Sequence, residues 1–279
     1  MAVIGGMYGS NGWMALALYN HTPDRHGTPG WNVFFMYTSH EIKNTDRDEN
    51  IYCRYTADKL RFSFGMNYGF LGFITASINF SFSNIAIKDS NEDLNPPENG
   101  AMFIGFNSGI SLRKSSWDGI FLSNRSISLD YGYNLAISGS SYNEIGINGS
   151  YGYSFLPGFR LIIRGGAVWK SASNILFEES PISQIGILPR SYSAMNYAGI
   201  SAGVEKHIFV IRWGTLSIQS SWQGIFSHRQ NSDWEFDHGP SAGINFYLSR
   251  IALPAIGVGA AYNIVSGLFQ FNFSIGMSF

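Results

Sequence analysis

The sequence is short of charge. Asp, Glu, Lys and Arg make up 13% of its 279 residues, roughly half the share in an average soluble domain. Lys and Arg number 18 and Asp and Glu 19, for a formal net charge of −1. No basic field is present to recruit nucleic acid, so that class of partner is excluded. Cysteine is nearly absent as well. Cys53 stands alone, which rules out an internal disulfide and any thiol-based metal pair. No uninterrupted apolar run reaches the roughly 18 residues of a transmembrane helix. Met1 does not open a charged segment followed by an apolar core, so an exported protein would be represented here without its signal peptide.

Aromatic residues, at 16%, and 32 glycines fill the space that charge leaves. Their order has a period of two and nowhere a helical one. Leu60, Phe62, Phe64, Met66, Tyr68 and Phe70 alternate with Arg61, Ser63, Gly65, Asn67 and Gly69. Ile74, Ala76, Ile78, Phe80 and Phe82 alternate with Thr75, Ser77, Asn79, Ser81 and Ser83, and similar runs start at Ile127, Ile145 and Ala242. The last run ends the chain, with Phe269, Phe271, Phe273, Ile275, Met277 and Phe279 on one face. A soluble sandwich would carry Lys, Glu and Arg on its second face. Here that face is Ser, Gly and Asn, as expected where the apolar face meets lipid and the small polar face lines an interior.

The pattern predicts an all-β transmembrane antiparallel β-barrel forming a single domain over 1–279, with 14 to 16 strands. Fourteen are placed at 11–20, 30–38, 49–57, 59–70, 72–87, 101–112, 117–135, 142–154, 158–170, 193–208, 209–226, 238–249, 252–264 and 267–279. The runs at 117–135 and 72–87 are long enough to hide a further turn, which keeps sixteen open. Short turns fall at 69–72, 114–116 and 156–158, and long loops at 21–30, 89–100, 171–192 and 227–239. The connection 39–50 is long where alternation calls for a short one. Trp13, Trp31, Trp117, Trp169 and Trp213 sit near strand ends, where amphipathic rings favour the membrane interface. A barrel of this kind is expected to contact outer-membrane lipids and lipopolysaccharide.

Catalytic and metal chemistry has little to stand on. His21, Asp24 and His26 share one loop, and His228, Asp233, Asp237 and His238 another, but neither spacing matches a structural zinc pattern. Exposed polar loops account for both. No glycine loop opens a helix to cradle phosphate. No enzyme, cofactor or metal is expected.

The last third of the chain resembles the barrel of the Omp85 superfamily. The resemblance rests on SSYNEIGINGSYGYSFLPGFRLIIRGGAVW, on LPRSY, on GISAGVEKHIF, and on the segment from GPSAGINFYL to the terminal GLFQFNFSIGMSF. The opening GGMYGSNGWMALALY is similar to the first strand of short, barrel-only members. The resemblance implies a bacterial outer-membrane location with the C-terminus in the periplasm, and a naturally short member without periplasmic POTRA domains. It also implies a long outer loop folded into the lumen, with Pro189, Arg190, Ser191 and Tyr192 matching the family's tip motif, Ser standing where the family has Gly. Arg190 would be the tip arginine and Glu205 its carboxylate partner, while Trp222 occupies the region of a second family carboxylate.

Phe279, with Phe273, Phe271 and Phe269, would form the C-terminal barrel signal and one side of a seam. Trp13, Leu16 and Leu18 would line the other side. The implied role is insertion, assembly or translocation of proteins, with client barrels or other outer-membrane subunits as partners. A passive pore for small solutes and a structural subunit of a larger complex are the alternatives.

Overall fold

The computed structural model describes residues 2–9, 12–21, 28–70, 72–90, 97, 99–118, 121–171, 176, 178–181, 185–212, 214–230, 232–248 and 254–275. Fourteen strands follow one another as β1 (Ala2–Gly9), β2 (Gly12–His21), β3 (Gly30–Thr45), β4 (Ile51–Phe70), β5 (Ile74–Ser90), β6 (Ala101–Asp118) and β7 (Phe121–Ser138), then β8 (Tyr142–Leu156), β9 (Phe159–Lys170), β10 (Asn196–Ile211), β11 (Gly214–His228), β12 (Glu235–Leu248), β13 (Pro254–Tyr262) and β14 (Phe269–Ile275). All lie in one sheet in sequence order, and every neighbouring pair is antiparallel. Among the described residues no helix is long and apolar enough to cross a membrane.

The predicted alternation sets which way each side chain points. Phe62, Phe80, Phe106, Leu129 and Tyr131 are exposed on the outside, while Ser63, Ser81, Ser201, Ser217 and Ser221 are buried on the inside. This is a barrel wall turned inside out relative to a soluble core. The sheet curls far enough for opposite walls to touch. The Arg229 guanidinium beyond β11 lies 5.3 Å from the Tyr52 ring of β4, and Gln270 of β14 donates a 2.9 Å hydrogen bond to Glu49 in the β3–β4 turn.

The number of strands matches the sequence expectation of fourteen, but two boundaries differ and offset each other. An additional strand, β1, precedes the expected first one and pairs with β2 from Ala2↔Tyr19 to Gly9↔Gly12. The expected strands 49–57 and 59–70 are one continuous strand, β4. The expected break falls at Asp58, whose outward charge would be costly within hydrocarbon. The sheet instead continues beyond the roughly 9 to 11 residues that cross it. There the outer face carries ion pairs, Lys88 with Asp58 at 2.8 Å and Lys43 with Glu41 at 2.8 Å, together with Arg54 and Glu41.

With β1 restored, the 39–50 connection no longer breaks the alternation. It is the end of β3, the five-residue turn 46–50, and the start of β4, on the end of the barrel that also carries the long loop between β9 and β10. The 21–30 connection moves to the opposite end, and its residues 22–27, Asp24 and His26 included, lie outside the described residues. The predicted turn at 114–116 is also displaced. Ser115 and Ser116 belong to β6, which reverses after Asp118, so the 117–135 run did hide a turn.

The inside-out wall predicts an asymmetry between faces. Leu129→Arg, on the outer face at mid-strand, should lower the stability of the barrel in lipid by about 2–4 kcal/mol. Ser128→Arg, its inward neighbour, should cost far less. Urea titrations of each variant refolded into vesicles, read by tryptophan fluorescence, measure the difference.

Candidate functional site: the lumenal loop and its braces

Twenty-five residues, 171–195, connect β9 to β10, too many for a simple turn. The described part of this segment folds into the lumen. Ile185, Ile187, Leu188, Tyr192 and Ala194 are buried there and pack against Ile225 of β11 and Ala261 of β13. On the other wall, Leu176 packs into a cluster with Cys53, Tyr55 and Ala57 of β4 and Ala101 and Phe103 of β6. One loop therefore joins both sides of the barrel through apolar burial.

Its backbone is satisfied by the walls, as a buried loop requires. The Gly186 N–H donates to Gln223 Oε1 at 2.7 Å, and a Cβ on Gly186 would lie 2.8 Å from Asn272 Nδ2 of β14. Glu179 and Ala194 exchange hydrogen bonds of 2.9 and 3.0 Å, which close the loop on itself.

Glu178 is a hub. It accepts hydrogen bonds from the Tyr52 hydroxyl, from Asn44 Nδ2 at 3.2 Å and from the Gln230 N–H at 2.8 Å, so it ties β3, β4 and the β11–β12 connection together. Burial pushes its carboxyl up from its ordinary value, and the hydrogen bonds from Tyr52 and the Gln230 N–H act against that rise.

The Pro189–Tyr192 segment is held on two sides. Thr45 at the end of β3 donates its N–H to the Ser191 carbonyl at 3.1 Å, and the Thr45 and Ser191 hydroxyls lie 2.9 Å apart. The Tyr192 hydroxyl lies 2.5 Å from Ser227 Oγ of β11. Pro189 and Tyr192 are buried, while Arg190 and Ser191 are exposed.

Glu205 is fully buried, and the structure pairs it with Arg160 rather than with Arg190. The reason is register, because Arg160 of β9 is the residue directly across from Glu205 of β10, on the same inward face. The carboxylate also accepts from Ser217, from Tyr247 at 2.6 Å and from Asn245 at 3.3 Å. With both oxygens occupied, Arg190 is not needed to offset the buried charge. Trp222 lies on the outer face, 53% exposed, so that position is not lumenal. Its neighbour Gln223 is the one that meets the loop.

The expected seam also changes. Trp13, Leu16 and Leu18 belong to β2, which is paired on both sides, Trp13 with Tyr8 of β1 and Ser39 of β3. The edge is β1 instead. Phe269, Phe271 and Phe273 do lie on the final strand, β14, and Phe279 lies outside the described residues. Among the described residues, β1 has only β2 as a ladder neighbour and β14 only β13.

Arg160, Glu178, Thr45 and Ser227 are missing from the sequence expectation. Glu205 entered the sequence expectation only through the family resemblance, and Arg160 is joined to it by the register of β9 and β10. Nothing in the sequence marks Glu178.

These features define a large antiparallel barrel whose lumen is occupied by its own loop. No family model and no curated protein matches the sequence. The fold has solved counterparts. It is similar to BamA from Haemophilus ducreyi lacking POTRA domains 1–3, with a TM-score of 0.73 and 8% identity over 98% of this chain and 63% of that one. It is also similar to CdiB from Escherichia coli, with a TM-score of 0.62 and 11% identity over 95% of this chain and 53% of that one. CdiB from Acinetobacter baumannii gives a TM-score of 0.59 at 11% identity, over 95% of this chain and 50% of that one. The chain thus spans less than two thirds of each of these proteins, and the likeness is one of fold.

Arg160→Met leaves Glu205 buried without its cation and should cost about 3–5 kcal/mol, with most of the loss recovered in the Arg160→Met/Glu205→Leu double variant. Gel mobility of unheated samples across a urea series reads both. For Glu178, whose pKa is raised on folding, the charge is a cost, so the stabilisation brought by the protonated form is lost as pH rises through the folded value. Glu178→Gln should therefore keep the loop docked at neutral pH. Glu178→Ala orphans three donors at about 1–3 kcal/mol each, and should speed protease cleavage within 171–195.

Proposed function

We propose that this chain is an outer-membrane barrel of the Omp85 type that takes part in insertion, assembly or translocation of proteins, with its C-terminus on the periplasmic side. The observation that carries this reading is the pair of unshared edges. Side chains on β1 and β14 are more exposed than the wall in general, with Ile4 at 87%, Tyr8 at 90% and Phe271 at 75%. An unpaired edge in a membrane is a template for another strand, because backbone groups there have no water to bond. A client strand added to β1 or β14 would satisfy them by strand addition.

Two further points support the reading, namely the resemblance of the last third of the sequence to Omp85 barrels and the fold likeness to BamA and CdiB. The loop-filled lumen weighs against the passive pore. Fold alone does not assign an activity, so the seam is the feature to test.

Cysteine pairs, one on β1 and one on β14, should abolish the acceleration of client-barrel folding into vesicles when oxidised and restore it when reduced. Cys53 is buried and does not interfere. Acceleration that persists in every pair that closes would refute the gate.

A further inference from the structure

The lipid-facing wall is not evenly clothed. On β4 to β7 its outer face is made of large side chains such as Phe62, Phe80, Phe106 and Leu129. Further round, one register row reads Ile127, Gly149, Gly165, Ile200, Gly224, His238 from β7 to β12. The rows on either side add Ala167, Ala198 and Ala202, each small and on the same outer face. The result is a strongly apolar groove of about 1230 Å³, walled by Ile127, Tyr151, Ile163, Ile200, Trp222 and Phe226. That exceeds the roughly 300–1,000 Å³ of an ordinary small-molecule pocket.

At Gly165 the Gly199 carbonyl oxygen would lie 3.2 Å from a Cβ, but at the other two glycines the fold itself does not demand this groove. A Cβ on Gly149 would meet nothing closer than the Ser126 carbonyl oxygen at 3.6 Å, and one on Gly224 would meet the Phe236 ring at 3.6 Å, both ordinary contacts. Neither glycine has a positive φ. Glycine inside a strand weakens it and often marks the close approach of something else. Here the space is left open toward the bilayer.

One end of the groove is charged. Lys114 of β6 and Arg125 of β7 are directly opposite each other, on the same outer face as Leu112 and Ile127. Among the described residues neither belongs to an ion pair, and the Arg125 guanidinium carbon lies 5.2 Å from the Tyr151 ring centroid on the groove wall. Like charges directly opposite repel. Both residues lie within five positions of the β6–β7 turn, the interfacial level where a cation costs about 0–1 kcal/mol rather than the mid-membrane penalty. Their stems can lie along the apolar wall with the charges at the headgroup. Two adjacent cations above a long apolar trough have the chemistry to hold an amphiphile with an anionic phosphate head.

We propose that the outer face of β6–β12 is a binding site for an anionic diacyl phospholipid, its phosphate held by Lys114 and Arg125 and an acyl chain lying in the groove over Gly149, Gly165 and Gly224. The proposal rests on the reading of this wall as lipid-facing.

The test uses the full chain in nanodiscs of phosphatidylcholine doped with photoactivatable phosphatidylglycerol or photoactivatable phosphatidylcholine, with cross-links mapped by mass spectrometry. Phosphatidylglycerol should label peptides containing Tyr151 and Ile163 in preference to phosphatidylcholine. Lys114→Gln/Arg125→Gln should cut that preference by about tenfold while leaving phosphatidylcholine labelling in place. Filling the trough with Gly149→Phe, or with Gly224→Leu should the first fail to fold, should reduce labelling by both lipids, with folding checked by unheated gel mobility.

Equal labelling by the two lipids, unchanged in the double variant, would overturn the headgroup site. Cross-linking of a Gly149→Cys barrel to another protein in native membranes would assign the groove to a protein partner instead and overturn the proposal. No labelling of any strand by either lipid would remove the membrane-barrel reading itself, a result distinct from loss of the groove alone.

Discussion

In hydrocarbon every backbone N–H and C=O must find its partner inside the protein. Thirteen consecutive antiparallel ladders from β1 to β14 meet that demand, and most other features follow from it. The wall can be apolar outside only because no strand in its middle needs water. The loop can enter the lumen only because its backbone groups are satisfied there, with the Gly186 N–H donating to Gln223, the Ser191 carbonyl accepting from Thr45, and Glu179 and Ala194 bonding each other. Among the described residues, β1 and β14 meet the demand on one side only.

Inside the barrel, burial and charge are balanced locally. Glu205 is offset by the residue across from it and by hydroxyls from the neighbouring strands, while Glu178 relies on donors brought from three separate elements. The first arrangement is rigid because the sheet fixes it. The second forms only when the loop is seated, so it reports the loop's position in a way that Glu205 does not. A buried ion pair is weak evidence of net stability. The Arg160–Glu205 pair is better understood as fixing the register of β9 and β10 at the end of these strands remote from the loop.

Much of the fold was legible in the sequence because a period of two on a lipid-facing wall leaves a plain trace, as in Phe62, Phe64, Phe80 and Phe82. The misplaced boundaries have physical causes. AVIGGMYG has few bulky residues and so little contrast between faces, which hid β1. Asp58, where the expected break fell, carries an outward charge paired with Lys88 because the sheet there runs past the length that crosses hydrocarbon. The candidate site was less legible. Glu205 was singled out only through the family resemblance, and its partner depends on register, a property of two strands that neither one displays alone. Glu178 gathers its donors through loop tertiary structure, for which a sequence has no periodic signal.

The contact between Gln270 and Glu49 has a mechanical consequence. It clips the start of β14 to the β3–β4 turn and passes over β1 and β2 without involving their ladders. The two free edges are thus fastened near one rim and loose toward the other. Any parting of them would be angular, like a zip pulled from one end, and narrowest beside the clip.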